Sequence, residues 1–371
     1  MAKIIAFSKP FFFQPLCRKN KNPLFKRDDF FLSFGDSLSF LIDYYGIQDK
    51  KEIALVPDFY CPDTLVFISR HFQIVFYKTN SDFTIDKGSY FKEIKEKKPK
   101  LIINYSFLGF SLIEDEKKRL IDLIGNDSII IEDYAHRIID FTDRKPFNNN
   151  HFVIDSVRKH SPFLGSHLIG GGVIKNNKAQ KINFYKIKCH LFQISKGLLM
   201  TVAHFLNWPW LFKQSEKLFF MQNEIIGNSP RSTLGIFLSF YLYNLLDLKK
   251  LKEHRRKIAL AYSDGFKNFS SPYIRVLDDN LIKNSELSHY PLFVDQSIQE
   301  ELLIYLEKKN IYADRLWDVD DLFKSQINSE FYQSFIILPL TWLVKEDDAS
   351  FIAKQVSNFM EERYDEKKRI L

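Results

Sequence analysis

The sequence predicts an α/β protein: a large domain with a mainly parallel, doubly wound sheet, followed by a small C-terminal α/β domain. Three observations predict it. Short apolar runs alternate with longer amphipathic stretches through the first half of the chain. Residues 178–265 then turn helical in pattern. From Tyr290 onward a second strand-and-helix set appears. Strand–helix alternation at this spacing builds parallel sheets, because each crossover must return the chain to the same edge.

In chain order, Ile53–Val56, Gln73–Tyr77, Leu101–Tyr105, Ile129–Glu132 and Phe152–Ile154 read as buried strands, being short and apolar without polar alternation. Ser37–Tyr45, Thr64–His71, Tyr90–Glu96 and Glu114–Ile124 read as the amphipathic helices between them. Gly170-Gly171-Gly172 reads as a sharp turn into a further strand at Val173-Ile174. A long amphipathic helix is expected over Leu234–Tyr262. After it come a strand at Tyr290–Val294, a helix at Ser297–Lys309, a strand near Phe335–Leu338 and a final helix at Asp347–Arg363. The boundary falls near 245–265, giving a large domain over residues 1–250 and a small one over 251–371.

Composition narrows the class. Of 371 residues 45% are apolar, with 37 Phe and 17 Tyr against 13 Gly and 13 Pro, which argues for a large packed core and against disorder. The formal charge is +7. The cations are dispersed among acids, so the runs at Lys95–Lys100, Lys249–Lys257 and Glu361–Arg369 read as solvated helix faces and a tail, and no nucleic-acid partner is expected. Cys17, Cys61 and Cys189 are far apart and odd in number; neither a disulfide framework nor a metal site is expected, and a reducing, cytoplasmic compartment is. The first residues are too soon interrupted by Pro10 to read as a signal peptide. The most apolar stretch, Gly197–Phe212, carries His204, Asn207 and Pro209 and reads as a buried or interface helix, so no membrane span is expected.

Doubly wound sheets bind ligands where the strands' carboxyl ends open onto loops. After Ile129–Glu132 comes Asp133-Tyr134-Ala135-His136. A strand-end carboxylate can pair with a protonated ring nitrogen, as pyridoxal phosphate (PLP) requires, or cap the next helix. After the following strand comes Ser156-Val157-Arg158-Lys159. Lys159 is the candidate Schiff-base lysine: partial burial and the neighbouring Arg158 would lower its pKa, and Ser156 could bond a phosphate oxygen. The alternative is an exposed basic pair in a loop. Upstream, Phe34-Gly35-Asp36-Ser37 precedes an amphipathic helix. Its free N–H groups suit a phosphate, unless Asp36 or Ser37 simply caps the helix.

In this order the motifs resemble the DegT/DnrJ/StrS family of sugar aminotransferases, a branch of the fold-type I (aspartate aminotransferase-like) PLP enzymes. The resemblance runs through most of the chain: Gly35-Asp36-Ser37, Val56-Pro57-Asp58-Phe59-Tyr60-Cys61, Ile131-Glu132-Asp133-Tyr134-Ala135-His136, Lys159 with Gly170–Ile174, Gly227–Arg231, Arg255-Arg256 with Tyr262, Tyr290-Pro291, Asn310-Ile311 and Leu338-Pro339-Leu340. It implies that Asp133 pairs with the pyridine nitrogen, that His136 sits near the ring hydroxyl, and that Ser37 and Ser156 hold the phosphate, with Asp36 giving only its backbone N–H. It also implies that Asn228 or Ser229 reaches the partner subunit's phosphate in a homodimer. The chain departs from the family pattern at four points, one being that the Asn of the family's Gly-Tyr-Asn-Tyr-Arg segment is not matched in register at Gly227–Arg231. The family's ring-covering aromatic falls on Cys61, leaving Phe59 or Tyr60 to substitute. The serine lies three residues before Lys159 rather than five. The loop His160–Ile169 is long.

The resemblance implies transfer of an amino group, usually from glutamate, to a nucleotide-linked keto sugar. Arg231, Arg255 or Arg315 could meet a carboxylate or diphosphate, or serve structure alone. Two other readings stay open: a PLP-dependent sugar dehydratase or lyase, and a non-enzymatic protein that binds nucleotide sugars. Sugar-dehydrating relatives carry His in place of the lysine; Lys159 argues against that option, although His160 is adjacent.

Overall fold

Apolar runs flanked by amphipathic stretches bury on both faces, and the chain uses them so. A computed structural model describes residues 29–47, 50–105, 107–109, 114–124, 127–138, 148–171, 184–228, 232–267, 269–317, 321–327 and 329–370. Among these, β1 (Phe30–Phe31), β2 (Ile53–Pro57), β3 (Gln73–Tyr77), β4 (Leu101–Tyr105), β5 (Ile129–Tyr134), β6 (His151–Asp155) and β7 (Ser166–Gly170) form one sheet in the order β1-β7-β6-β5-β4-β2-β3. β2 to β6 run parallel, while β7 and β1 are antiparallel additions at one edge. A second, antiparallel sheet joins β8 (Ile274–Arg275), β9 (His289–Val294) and β10 (Phe335–Pro339) in the order β10-β9-β8.

The helices α1 (Phe34–Tyr44), α2 (Pro62–Ser69), α3 (Lys87–Lys97) and α4 (Glu114–Ile124) accompany the parallel strands. Next come α5 (Phe184–Leu206) and α6 (Pro209–Asn228), which pack along one another, then α7 (Phe237–Tyr243) and α8 (Leu248–Phe266). The C-terminal part holds α9 (Asp279–Asn284), α10 (Gln296–Lys308), α11 (Ser329–Tyr332) and α12 (Glu346–Ile370). One apolar core cluster runs from Phe31 to Met360, so both sheets share it.

Two sequence expectations change. The run Leu234–Tyr262 is two helices, α7 and α8, with the Asp247 side chain accepting from the Lys250 N–H to start the second. The stretch His160–Ile169 is not all loop: β7 begins at Ser166, its polar start satisfied by Asp155, which accepts from the His167 N–H and bonds its ring. The expected strand at Val173-Ile174, Cys17 and the N-terminal segment lie outside the described residues. No described helix is long and apolar enough to cross a membrane.

Candidate active site

The carboxyl ends of β2, β4, β5 and β6 open onto one cavity of about 710 Å³ of empty space, its mouth included. Gly35, Tyr60, Cys61, Asp133, His136, Ser156 and Lys159 all line it. Asp36 and Ser37 do not, although they sit in the same first turn of α1.

That turn is capped by Ser33, not by Asp36 or Ser37. Ser33 is extended, and its Oγ accepts from the Asp36 N–H at 3.1 Å. The Asp36 carboxylate is turned away from the cavity, accepting from Ser33 Oγ (2.5 Å), the Thr233 N–H (3.1 Å) and Tyr185 Oη (3.4 Å). Its charge is therefore bound into the scaffold. The Ser37 hydroxyl lies 2.9 Å from Ser166 Oγ, which itself donates to the Asp155 carbonyl, and so ties α1 to β7. Ser33, Phe34 and Gly35 remain as the cavity's helix-start wall.

Asp133 is the next-to-last residue of β5 and is buried. Its Oδ2 accepts from Tyr60 Oη at 2.5 Å and its Oδ1 from the Ala135 N–H at 2.8 Å. Burial raises its pKa to about 6 against the pull of these two donors and of Lys159. Tyr60 is itself clamped: its N–H donates to Tyr332 Oη (2.7 Å), which donates to its carbonyl (2.9 Å).

Lys159 ends a 3₁₀ turn, Val157–Lys159, directly after β6. The Val157 N–H donates to the Gly165 carbonyl and the Lys159 N–H to the Ser156 carbonyl, which fixes where the turn leaves the sheet. Gly165 permits this return: a Cβ there would stand 2.0 Å from Cζ of Phe30. Burial, with Arg158 second, lowers the Lys159 pKa to about 8. Arg158 thus acts as the cationic neighbour expected of it, held by Asn223 of α6. Arg255 reaches in from α8, its Nη2 donating to the Lys159 carbonyl at 3.1 Å.

Cys61 is the N-cap of α2, held extended ahead of Pro62 and lacking a side-chain cap. Its thiol pKa is raised by burial and by Asp63. Phe59 does not line the cavity; it packs among Phe83, Trp317, Phe331 and Tyr332. The aromatic walls are Phe34, Tyr60, Phe67, Tyr105 and Trp317. His136 places Nδ1 2.7 Å from Ser288 Oγ and its ring near Tyr105 and Trp317. Asn228 closes α6, two residues after the cavity-lining Ile226. Ser229 and Arg231 lie outside the described residues, and Arg315 is engaged with Gln299 and Glu300.

Sequence reasoning missed Ser33, Tyr105 and Trp317. Tyr105 is the last residue of β4, so the strand-end rule that found Asp133 could have found it. Nothing local marks Trp317, which arrives from the C-terminal part.

No protein-family model matches the chain, and a search of curated proteins finds no match. Solved structures do match. Spr1654 of Streptococcus pneumoniae, described as a sugar aminotransferase and solved in its PMP form, superposes with a TM-score of 0.66 at 14% identity, covering 98% of this chain and 100% of that one. PseC of Helicobacter pylori, an aminotransferase of pseudoaminic acid biosynthesis, superposes at 0.63 with 15% identity over 97% and 100%. A DegT DnrJ EryC1 StrS aminotransferase from Brucella abortus gives 0.57 with 16% identity over 89% and 85%. The chain has the fold of fold-type I PLP-dependent aminotransferases. Within that fold, β7 with β1 forms the antiparallel edge, and the cavity lies at the carboxyl ends of the parallel strands.

Proposed function

We propose that the protein is a PLP-dependent aminotransferase transferring an amino group from glutamate to a keto sugar, nucleotide-linked, in amino-sugar or surface-polysaccharide biosynthesis. The observation that carries this reading is the meeting of Lys159 and Asp133 in one cavity that also holds the first turn of α1.

The residues present fit the cofactor. Asp133 accepts one bond on each oxygen, which leaves a lone pair on each for a ring N–H. Tyr105 lines the cavity with a buried Oη that has no hydrogen-bond partner among the described residues, ready for a polar ligand atom. Phe34 and Gly35 belong to the first turn of α1, where backbone N–H groups lack helical acceptors and favour a phosphate. Ser156 adds a hydroxyl; Tyr60, Cys61 and Tyr105 supply walls for a flat ring.

PLP, when bound, supplies an electron sink for the negative charge left on a carbon that loses its proton. The chain's own residues do the rest. Asp133 holds a proton on the ring nitrogen, and Tyr60 and the Ala135 N–H fix the carboxylate's direction. With a pKa of about 8, the Lys159 Nζ is neutral in a useful fraction near neutrality and can attack a carbonyl, then take up and return a proton. Trp317 lines the site from the C-terminal part. His160 is engaged elsewhere, its Nε2 2.8 Å from Tyr243 Oη, so it does not replace Lys159 as a dehydratase histidine would.

The reading carries a homodimer with it. Phe184, Leu191, Leu198 and Phe205 recur every seven residues on α5 and are all more than half exposed; an apolar stripe of this length is suited to a second copy. It also carries a cytoplasmic location and the division into a cofactor-binding part, 1–250, and a small part, 251–371.

The test is direct. Incubation with PLP followed by borohydride should fix a pyridoxyl group on Lys159, detected by peptide mass spectrometry, and glutamate should change the visible absorbance of the unreduced protein. No adduct at Lys159 and no response to glutamate would overturn the reading.

A further inference from the structure

A second cavity lies behind Lys159, enclosed by α8, α9 and the segment Ser285–Leu287, with about 960 Å³ of empty space, mouth included. Lys249, Lys252, Arg255, Arg256 and Lys283 line it against only Glu253 and Glu286, a surplus of three positive charges. Glu286 is already held by Arg137 at 3.2 Å and by Lys252. Arg256 and Lys283 are exposed at the walls and form no ion pair among the described residues.

Arg255 is the unusual member. It is 5% exposed, and its Nε is buried with no acceptor among the described residues. Its Nη2 is already given to the Lys159 carbonyl. A buried guanidinium with an unused donor is costly, and its planar fork matches an oxyanion better than any other ligand. The walls also reach the first cavity through Ser288, which follows Glu286 and Leu287 and bonds His136.

We propose that this second cavity binds a phosphate-bearing anion, which supplies the acceptor Arg255 lacks and holds its guanidinium against the Lys159 carbonyl. Arg256 and Lys283 provide charge at the entrance; Arg255 is a positioning residue that acts through the 3₁₀ turn. Only the link to Lys159 rests on the aminotransferase reading, and anion binding itself does not.

The test is calorimetric titration of PLP-treated, borohydride-reduced protein with inorganic pyrophosphate, and with phosphate, succinate and chloride at matched ionic strength. Pyrophosphate should bind once per chain, more tightly than phosphate, with succinate and chloride at least about tenfold weaker, or about 1.4 kcal/mol. The double variant Arg256→Gln/Lys283→Gln, changed only at exposed positions, should lose about tenfold or more in pyrophosphate affinity while keeping its unfolding midpoint. Arg255→Lys, which keeps the charge but loses the fork, should also bind more weakly. Unchanged affinity in the double variant, equal binding of succinate, or pyrophosphate displaced by PLP would each overturn the proposal. If Lys159 takes up no pyridoxyl group yet pyrophosphate binding still depends on Arg256 and Lys283, the aminotransferase reading fails and the anion site stands. The opposite pattern refutes the anion site alone.

Discussion

At Lys159, burial does two things at once: it loosens the amine's hold on its proton and it ties the stability of the fold to pH. The folded protein holds this amine at about 8 against an ordinary 10.5. Between those values the unfolded chain binds the proton and the folded one does not, so stability rises with pH through that window. In cofactor-free protein the urea midpoint should climb from pH 8 to about 10.5, and Lys159→Met should flatten the climb while abolishing pyridoxyl fixation. Asp133→Asn should keep fixation but lower kcat by about a hundredfold or more, as loss of a preorganised charge partner does; steady-state turnover with glutamate measures it. Tyr60→Phe removes the 2.5 Å donor on Oδ2, a bond to a charged group worth about 1.5–3 kcal/mol. Because that donor pulls the Asp133 pKa down, the variant's carboxyl should titrate above about 6, followed by NMR of the cofactor-free protein.

Among the elements, the turn from β6 into β7 sets where Lys159 stands, and it depends on how closely Gly165 passes Phe30. Gly165→Ala should cost about 1–3 kcal/mol by overpacking, read as a lower denaturant midpoint. The parallel strands were legible in the sequence because burial on both faces makes them plain apolar runs: β3 and β4 fall where Gln73–Tyr77 and Leu101–Tyr105 predict them. β7 was not, because Ser166 and His167 look like loop until Asp155 folds against them. The candidate site divides the same way. Asp133, Ser156 and Lys159 follow strands in sequence and could be found there. The orientation of Asp36 and Ser37 depends on partners as remote as Thr233 and Ser166, which no local pattern announces.

For the molecule as a whole, α5 leaves large apolar side chains exposed, and the proposed homodimer would cover them. Leu198→Glu places a charge in the middle of that face and should convert a dimer to a monomer in sedimentation velocity, with the circular-dichroism spectrum unchanged. The shared core, which takes in residues from Phe31 to Met360, means that the two sheets should unfold together in such variants.

The clamp between Tyr60 and Tyr332 spans 272 positions of sequence. A contact of such high order forms only after most of the chain is available, since a long loop must close to make it. During synthesis, β2 to β6 emerge before the residue that clamps Tyr60 has been made. Tyr60 is therefore clamped only once the chain has been made as far as Tyr332, and a chain truncated before it, which also lacks β10 and α12 of the shared core, should hold neither sheet.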